Sequence, residues 1–279
     1  MYSGTGNDPV LGPAFRLAQL RLRGAQGGII RKHRSMVQLE WTPRRAIRAA
    51  VLSLLGFLSV LALLPVLGRL WGQAMGWILP RLGLPVELGW HRVGIATLFD
   101  IAVPYPMLDG PWPDTPHFLA VGIGTTALLA LSFLLPPRFL PARYFLRFLA
   151  AIQTVSLGFF FFATPPFPYP LPGYLGGLLT VGMAVLALVP IALGFGFYIF
   201  DHSLGRQVLI TVLIVGHLAI LLPLQGLLHA WLIHHLSLVV QPTLFFVFGL
   251  LVEVLVFVAL YGWAMSWPGS EIPAGGAPR

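Results

Sequence analysis

The sequence predicts an all-α polytopic membrane bundle of about six transmembrane helices with both termini in the cytoplasm. Three observations predict it. Of the 279 residues 57% are hydrophobic and only 9% are charged, whereas about a quarter of a soluble globular chain is charged. The apolar residues gather in continuous runs of about 20, the length that crosses a hydrocarbon core roughly 30 Å thick. The basic residues collect in alternate connections between those runs, as the positive-inside bias requires. A water-soluble enzyme, a disordered chain, a coiled coil and a disulfide scaffold are excluded together. The runs are continuous rather than alternating, so a membrane β-barrel is excluded too. Cysteine is absent, which removes thiol and iron–sulfur chemistry.

The chain opens with a basic arm, 1–47. Net charge is +8, and nine of the 17 basic residues fall in the first 48 positions: Arg16, Arg21, Arg23, Arg31, Lys32, Arg34, Arg44, Arg45 and Arg48. Only Asp8 and Glu40 oppose them. Such a flank belongs on the cytoplasmic side and suits anionic lipid headgroups, at roughly 1 kcal/mol per basic residue near the surface. Residues 14–24 have the pattern of a surface amphipathic helix. The basic region is too long for a cleaved signal peptide, and the run after it is long enough to span. Nothing in the charge distribution suggests nucleic acid. Lys32 is the only lysine against sixteen arginines, a coding bias that points to a bacterial inner membrane.

Six spans are expected at 48–68, 118–135, 145–163, 174–199, 207–226 and 243–265, within a transmembrane domain 48–267. The connection after the second span carries Arg138, Arg143 and Arg147 without an acid, and that after the fourth carries Arg206 with Asp201. These face the cytoplasm and the others face outward. The first outer loop, 69–117, holds four of the nine acids, Glu87, Asp100, Asp109 and Asp114. Within it 70–83 and 88–103 are expected as interfacial or re-entrant helices, and 104–116 as a proline-rich turn region. The 164–174 link carries five prolines and should be extended, with Phe167, Tyr169 and Tyr174 at the interface. The 227–241 segment is apolar but too short to span, and 268–279 is expected to be a disordered tail.

Ionisable groups inside spans come first as functional candidates, because each costs on the order of 2.5–3.5 kcal/mol at a helix centre. Two qualify, His217 and Glu253, each about ten residues or 15 Å into its span. On antiparallel neighbours they could meet as a proton-carrying pair, or as a neutral hydrogen bond that fixes packing. Gln153, Thr125 and Thr126 could extend that seam. A second group maps to the outer face: His91, His117, His229, His234 and His235 with Glu87, Asp100, Asp109 and Asp114. Histidine with carboxylate is the vocabulary of zinc and of general bases. Yet His229 and His234 are five apart, about 140° round a helix, and no HExxH occurs. A haem between helices needs facing histidines at matched depth, and only His217 is deep. No metal or cofactor is therefore implied. Gly173 and Gly177 have the spacing of a helix-packing pair, and Pro65 and Pro190 should kink their spans. Absent catalytic motifs favour a carrier or a membrane subunit of an envelope assembly. The competing reading is a membrane-embedded enzyme acting at the outer face on a lipid-linked or quinone-like substrate.

Overall fold

In a computed structural model of the chain, residues 43–84, 87–95, 99–199 and 203–266 are described. Residues 1–42 of the basic arm, with its amphipathic segment, Asp201, His202 and the tail 268–279 lie outside the described residues. Among the described residues six helices are long and apolar enough to cross a membrane. The fold is the expected membrane helical bundle.

The first span is α1, Pro43–Ile78, a single helix of 36 residues. It continues well past residue 68, so 70–83 is not a separate re-entrant piece; a short 3-10 turn, Leu79–Leu82, closes it against Gly83. Gly83 has φ 72°, a left-handed conformation that glycine adopts without a Cβ penalty. The next segment corrects the expectation of a second interfacial helix. It is an antiparallel pair of strands, β1 Leu88–Ile95 and β2 Phe99–Pro106, in the register Leu88↔Pro106 to Ile95↔Phe99. Gly89 and Gly94 in one strand and Pro104 and Pro106 in the other disfavour a helix. Ile101 and Val103 point inward at period two.

The hairpin lies on a glycine row of α1. Gly68, Gly72 and Gly76 recur every fourth residue and so share one face. The Ala102 carbonyl packs on Gly68, the Trp90 ring on Gly72 and Leu88 on Gly76. Gly173 and Gly177 do not play that part: among the described residues no neighbouring helix packs on either. Close helix approach occurs instead at Gly56 against Pro190, Gly182 against Leu222 and Gly194 against Ser53.

Residues 107–114 lead without regular structure to α2, Thr115–Leu134. The second membrane hairpin is completed by α3, Leu140–Phe162. The proline-rich link departs from the expected extended run: it is irregular over 163–170, with a cis Pro165–Pro166 peptide, and helix begins at Leu171. Then come α4, Leu171–Ile199, and α5, Leu204–Leu236. The latter absorbs most of 227–241, so the segment that is too short to span alone is the last turns of a 33-residue helix. The sixth span is broken into α6, Gln241–Phe248, and α7, Leu250–Met265.

The core lies between α1, α4 and α5, with Leu175, Leu179, Leu186, Leu193, Ile214, Leu218 and Leu222 fully buried. Prolines sit inside three of the long helices, Pro65, Pro190 and Pro223. Pro223 has no N–H to give the carbonyl four residues earlier, that of Ala219. Trp71 Nε1 of α1 donates to that carbonyl at 2.8 Å, which satisfies a backbone group that hydrocarbon cannot.

Candidate functional site

The break in the sixth span brings a buried amide and a buried carboxyl, Gln225 and Glu253, into the bundle. Helix α6 stops because Gly249 leaves the helical region, at φ −84° and ψ −136°. A Cβ on Gly249 would lie 2.3 Å from the Phe245 carbonyl oxygen, so the bend needs glycine. The last carbonyls of a helix have no donor within it. Here Gln225 of α5 supplies one: its amide nitrogen donates to the Phe248 carbonyl and, at 3.1 Å, to that of Gly249. The Val252 N–H donates to the Gly249 carbonyl at 3.1 Å and starts α7.

Glu253 stands one turn further, in the first turn of α7 and 1% exposed. The N-terminal end of a helix carries the positive end of its dipole, the favourable end for a carboxylate. Neither carboxyl oxygen of Glu253 has a hydrogen-bond partner among the described residues. The same is true of Gln225 Oε1. An unpartnered carboxyl in a buried site is unusual, because its desolvation is uncompensated.

The short helix α6 is pinned from the other end too. Gln153 Nε2 and Ser156 Oγ of α3 both donate to the Val239 carbonyl, at 3.0 and 2.5 Å. Thr243 Oγ1 donates to Gln153 Oε1 at 2.6 Å, and Gln241 Nε2 to the Tyr169 carbonyl at 3.2 Å. Gln153 thus joins a polar cluster with Ser156 and Thr243 rather than a seam with Glu253, whose oxygens it does not bond. Thr125 and Thr126 join neither: each hydroxyl turns back to its own helix, on Val121 and Gly122.

The structure does not join His217 to Glu253 by a hydrogen bond. Ile210, Ile214, Leu218, Leu222 and Gly226 form the buried stripe of α5, and His217 stands off it, exposed on the outside of the bundle. Depth is legible from residue counts; helical face is what separates the two groups. Along α5 the partner of the break is Gln225, eight residues or about 12 Å beyond His217.

The outer-face residues fall into separate places. His91 and Asp100 are exposed on the hairpin, where Asp100 faces Arg92 at 3.9 Å. That pair is 78% and 65% exposed, a setting in which ion pairs contribute little. Asp109 is exposed before α2. Asp114 caps α2, accepting the His117 N–H at 3.1 Å and lying 2.5 Å from His117 Nδ1. The backbone N–H of His117 holds the Asp114 carboxyl below the usual carboxylate range. His235 lies 2.9 Å from the Trp231 carbonyl, and His234 is half-buried beside it. Among the described residues no three histidine or carboxylate groups converge as metal ligands would.

His229 differs from the rest. It is fully buried inside α5, its ring stacked on Tyr174 with 6.0 Å between centroids and 4° between planes. Tyr174 Oη lies 2.8 Å from His229 Nδ1. Sequence reading placed Tyr174 at an interface and missed this pairing. It missed Gln225 as well. The available signal was the i, i+4 spacing of Gln225 and His229, which puts both on one face of a helix whose other turns there are leucine and glycine.

No protein-family model, curated protein or solved structure matches the chain.

Proposed function

We propose that this multi-pass membrane protein is a carrier whose coupling site is the break between α6 and α7, with Glu253 as the proton- or cation-binding group. The reading places it in a bacterial inner membrane with both termini in the cytoplasm. The observation that carries it is the interrupted sixth span: a glycine break held by Gln225, with a buried, unpartnered carboxylate one turn away. Carriers build ion and substrate sites from discontinuous helices of this kind, because the break frees backbone groups and helix ends within the bilayer. Intramembrane carboxylates are costly and mark ion pathways by default. His217, expected from sequence beside Glu253, has no part in this reading; Gln225 holds the break.

The test is proton uptake into proteoliposomes that trap a pH-reporting dye, driven by a potassium diffusion potential with valinomycin. Wild-type protein should acidify the lumen above the rate of empty liposomes, and Glu253→Gln should fall to that rate. Equal uptake by the two proteins would make Glu253 structural. Sodium in place of choline outside, slowing uptake, identifies a competing cation.

A further inference from the structure

A groove of about 610 Å³ opens sideways from the bundle between α3 and α6. Phe148, Ile152, Val155 and Phe159 form one wall and Pro242 and Phe246 the other. Its hydroxyl, Ser156 Oγ, is bound to the Val239 carbonyl, so the surface presented is hydrocarbon. We propose that this groove is a binding site for an anionic phospholipid, with one acyl chain along it and the phosphate held by Arg143 and Arg147.

The dimensions fit a tail. From Phe148 to Phe159 is eleven residues, about 16 Å of helix. One leaflet contributes about half of the roughly 30 Å hydrocarbon core. The volume lies within the range of ligand pockets, about 300–1,000 Å³.

The charge fits a phosphate. Arg143, Arg147, Ala151, Val155 and Phe159 follow one another at intervals of four along α3. Residues at that spacing form one ridge, which turns about 40° round the helix at each step, so beyond the groove it leads to two guanidinium groups on the α2 side of α3. Both are anchored to the last turns of α2. Arg143 Nε donates to the Ser132 carbonyl at 3.2 Å and Arg147 Nε to Ser132 Oγ at 3.4 Å. The Arg147 fork also lies 4.5 Å over the Phe133 ring. Holding Nε in this way orients the fork and leaves its terminal amino groups as donors, the geometry that binds phosphate. Arg138 adds a third positive charge nearby in the chain, and no Asp or Glu occurs between Asp114 and Asp201. The site is independent of the carrier reading and distinct from the basic arm.

Native mass spectrometry of the full-length protein in detergent tests it. The probes are phosphatidylglycerol, phosphatidylcholine and glycerol phosphate, the last a headgroup without a tail. Wild-type protein should retain one phosphatidylglycerol in preference to phosphatidylcholine. Replacing both arginines, Arg143→Gln with Arg147→Gln, should weaken that binding roughly thirtyfold, from the usual worth of two basic residues beside an anionic lipid. The double Lys variant should keep the preference. Val155 is 72% exposed, so Val155→Trp has room to fold while filling the groove, and it should displace the lipid; Ala151→Phe on the same wall is the second choice. The proposal is overturned if the two lipids bind alike, or if the double Gln variant binds as wild type. It is equally overturned if the filled groove still holds phosphatidylglycerol, or if glycerol phosphate binds as tightly as the lipid.

Discussion

Replacing Gly68 by alanine and, separately, Gly76 by alanine should move stability in opposite directions, although both glycines lie on the same face of α1 two turns apart. Alanine gains about 1 kcal/mol over glycine in a helix interior, and that gain is common to both. The surroundings differ. A Cβ at position 76 meets only Leu88 Cδ1, at 3.8 Å, an ordinary van der Waals contact. A Cβ at position 68 would lie 2.3 Å from the Ala102 carbonyl oxygen. That atom is backbone in the middle of β2, so relief requires the strand to lift off α1 and carry Ile101 and Val103 out of their packing. Overpacking of this sort costs about 1–3 kcal/mol. Gly76→Ala should therefore be stabilised by up to about 1 kcal/mol, and Gly68→Ala should be about 1–3 kcal/mol less stable than Gly76→Ala. The difference cancels the helix propensity and isolates the steric contact. Unfolding in mixed dodecyl sulfate and mild detergent micelles, followed by far-UV circular dichroism, measures it. Equal midpoints for the two variants would refute the packing of the hairpin on the glycine row.

Tyr174→Phe should destabilise by about 1–3 kcal/mol in the same assay, because it removes the hydroxyl paired with Nδ1 of the fully buried His229 ring. His217→Ala, on the outside of α5, should stay within about 0.5 kcal/mol of wild type. A large loss at His217 would place it in the interior. The Asp114 cap should respond to acid. Its folded carboxyl is held below the usual range, so its contribution is fully present above that range and is lost as pH falls through the lowered value. Hydrogen exchange at the His117 amide, compared between wild type and Asp114→Asn, should show extra loss of protection in wild type only at the acid end. A parallel pH response in both proteins would remove the carboxylate from the cap.

The spans were legible because hydrocarbon imposes a length, and length is a property of the sequence alone. The polar interior was legible in part. Glu253 and Gln153 stand out in apolar runs for the same reason that charge orients the chain. What depth could not supply was azimuth: His217 and Leu218 are equally deep, and only the neighbours of α5 decide that Leu218 turns inward. The Gly249 break was hidden because a lone glycine in a long apolar run reads as a tolerated cost. It becomes a break when a donor from another helix, Gln225, stabilises the freed carbonyls. The hairpin was obscured by mean hydropathy, which does not distinguish alternate residues from successive ones. Its period of two and the four-residue spacing of Gly68, Gly72 and Gly76 were both present in the letters.

The helices are of unequal length, and the bilayer must answer for it. At the hairpin end they share a level, since the Leu238 N–H donates to the Pro111 carbonyl just before α2 begins. From there α2, with 20 residues, reaches about 30 Å, while α5, with 33, reaches about 50 Å. The edge-to-face contact of Phe145 with Phe248 puts the short end of α3 beside the Gly249 break. Meanwhile Val208, Leu209, Val212 and Leu213 present apolar surface along the longer helix. A membrane of uniform thickness cannot match both sides. A core of roughly 30 Å matches α2, so the excess length of α5 must be taken up by tilt or by thicker lipid beside it. The tilt of the bundle and its choice of membrane should therefore depend on acyl-chain length.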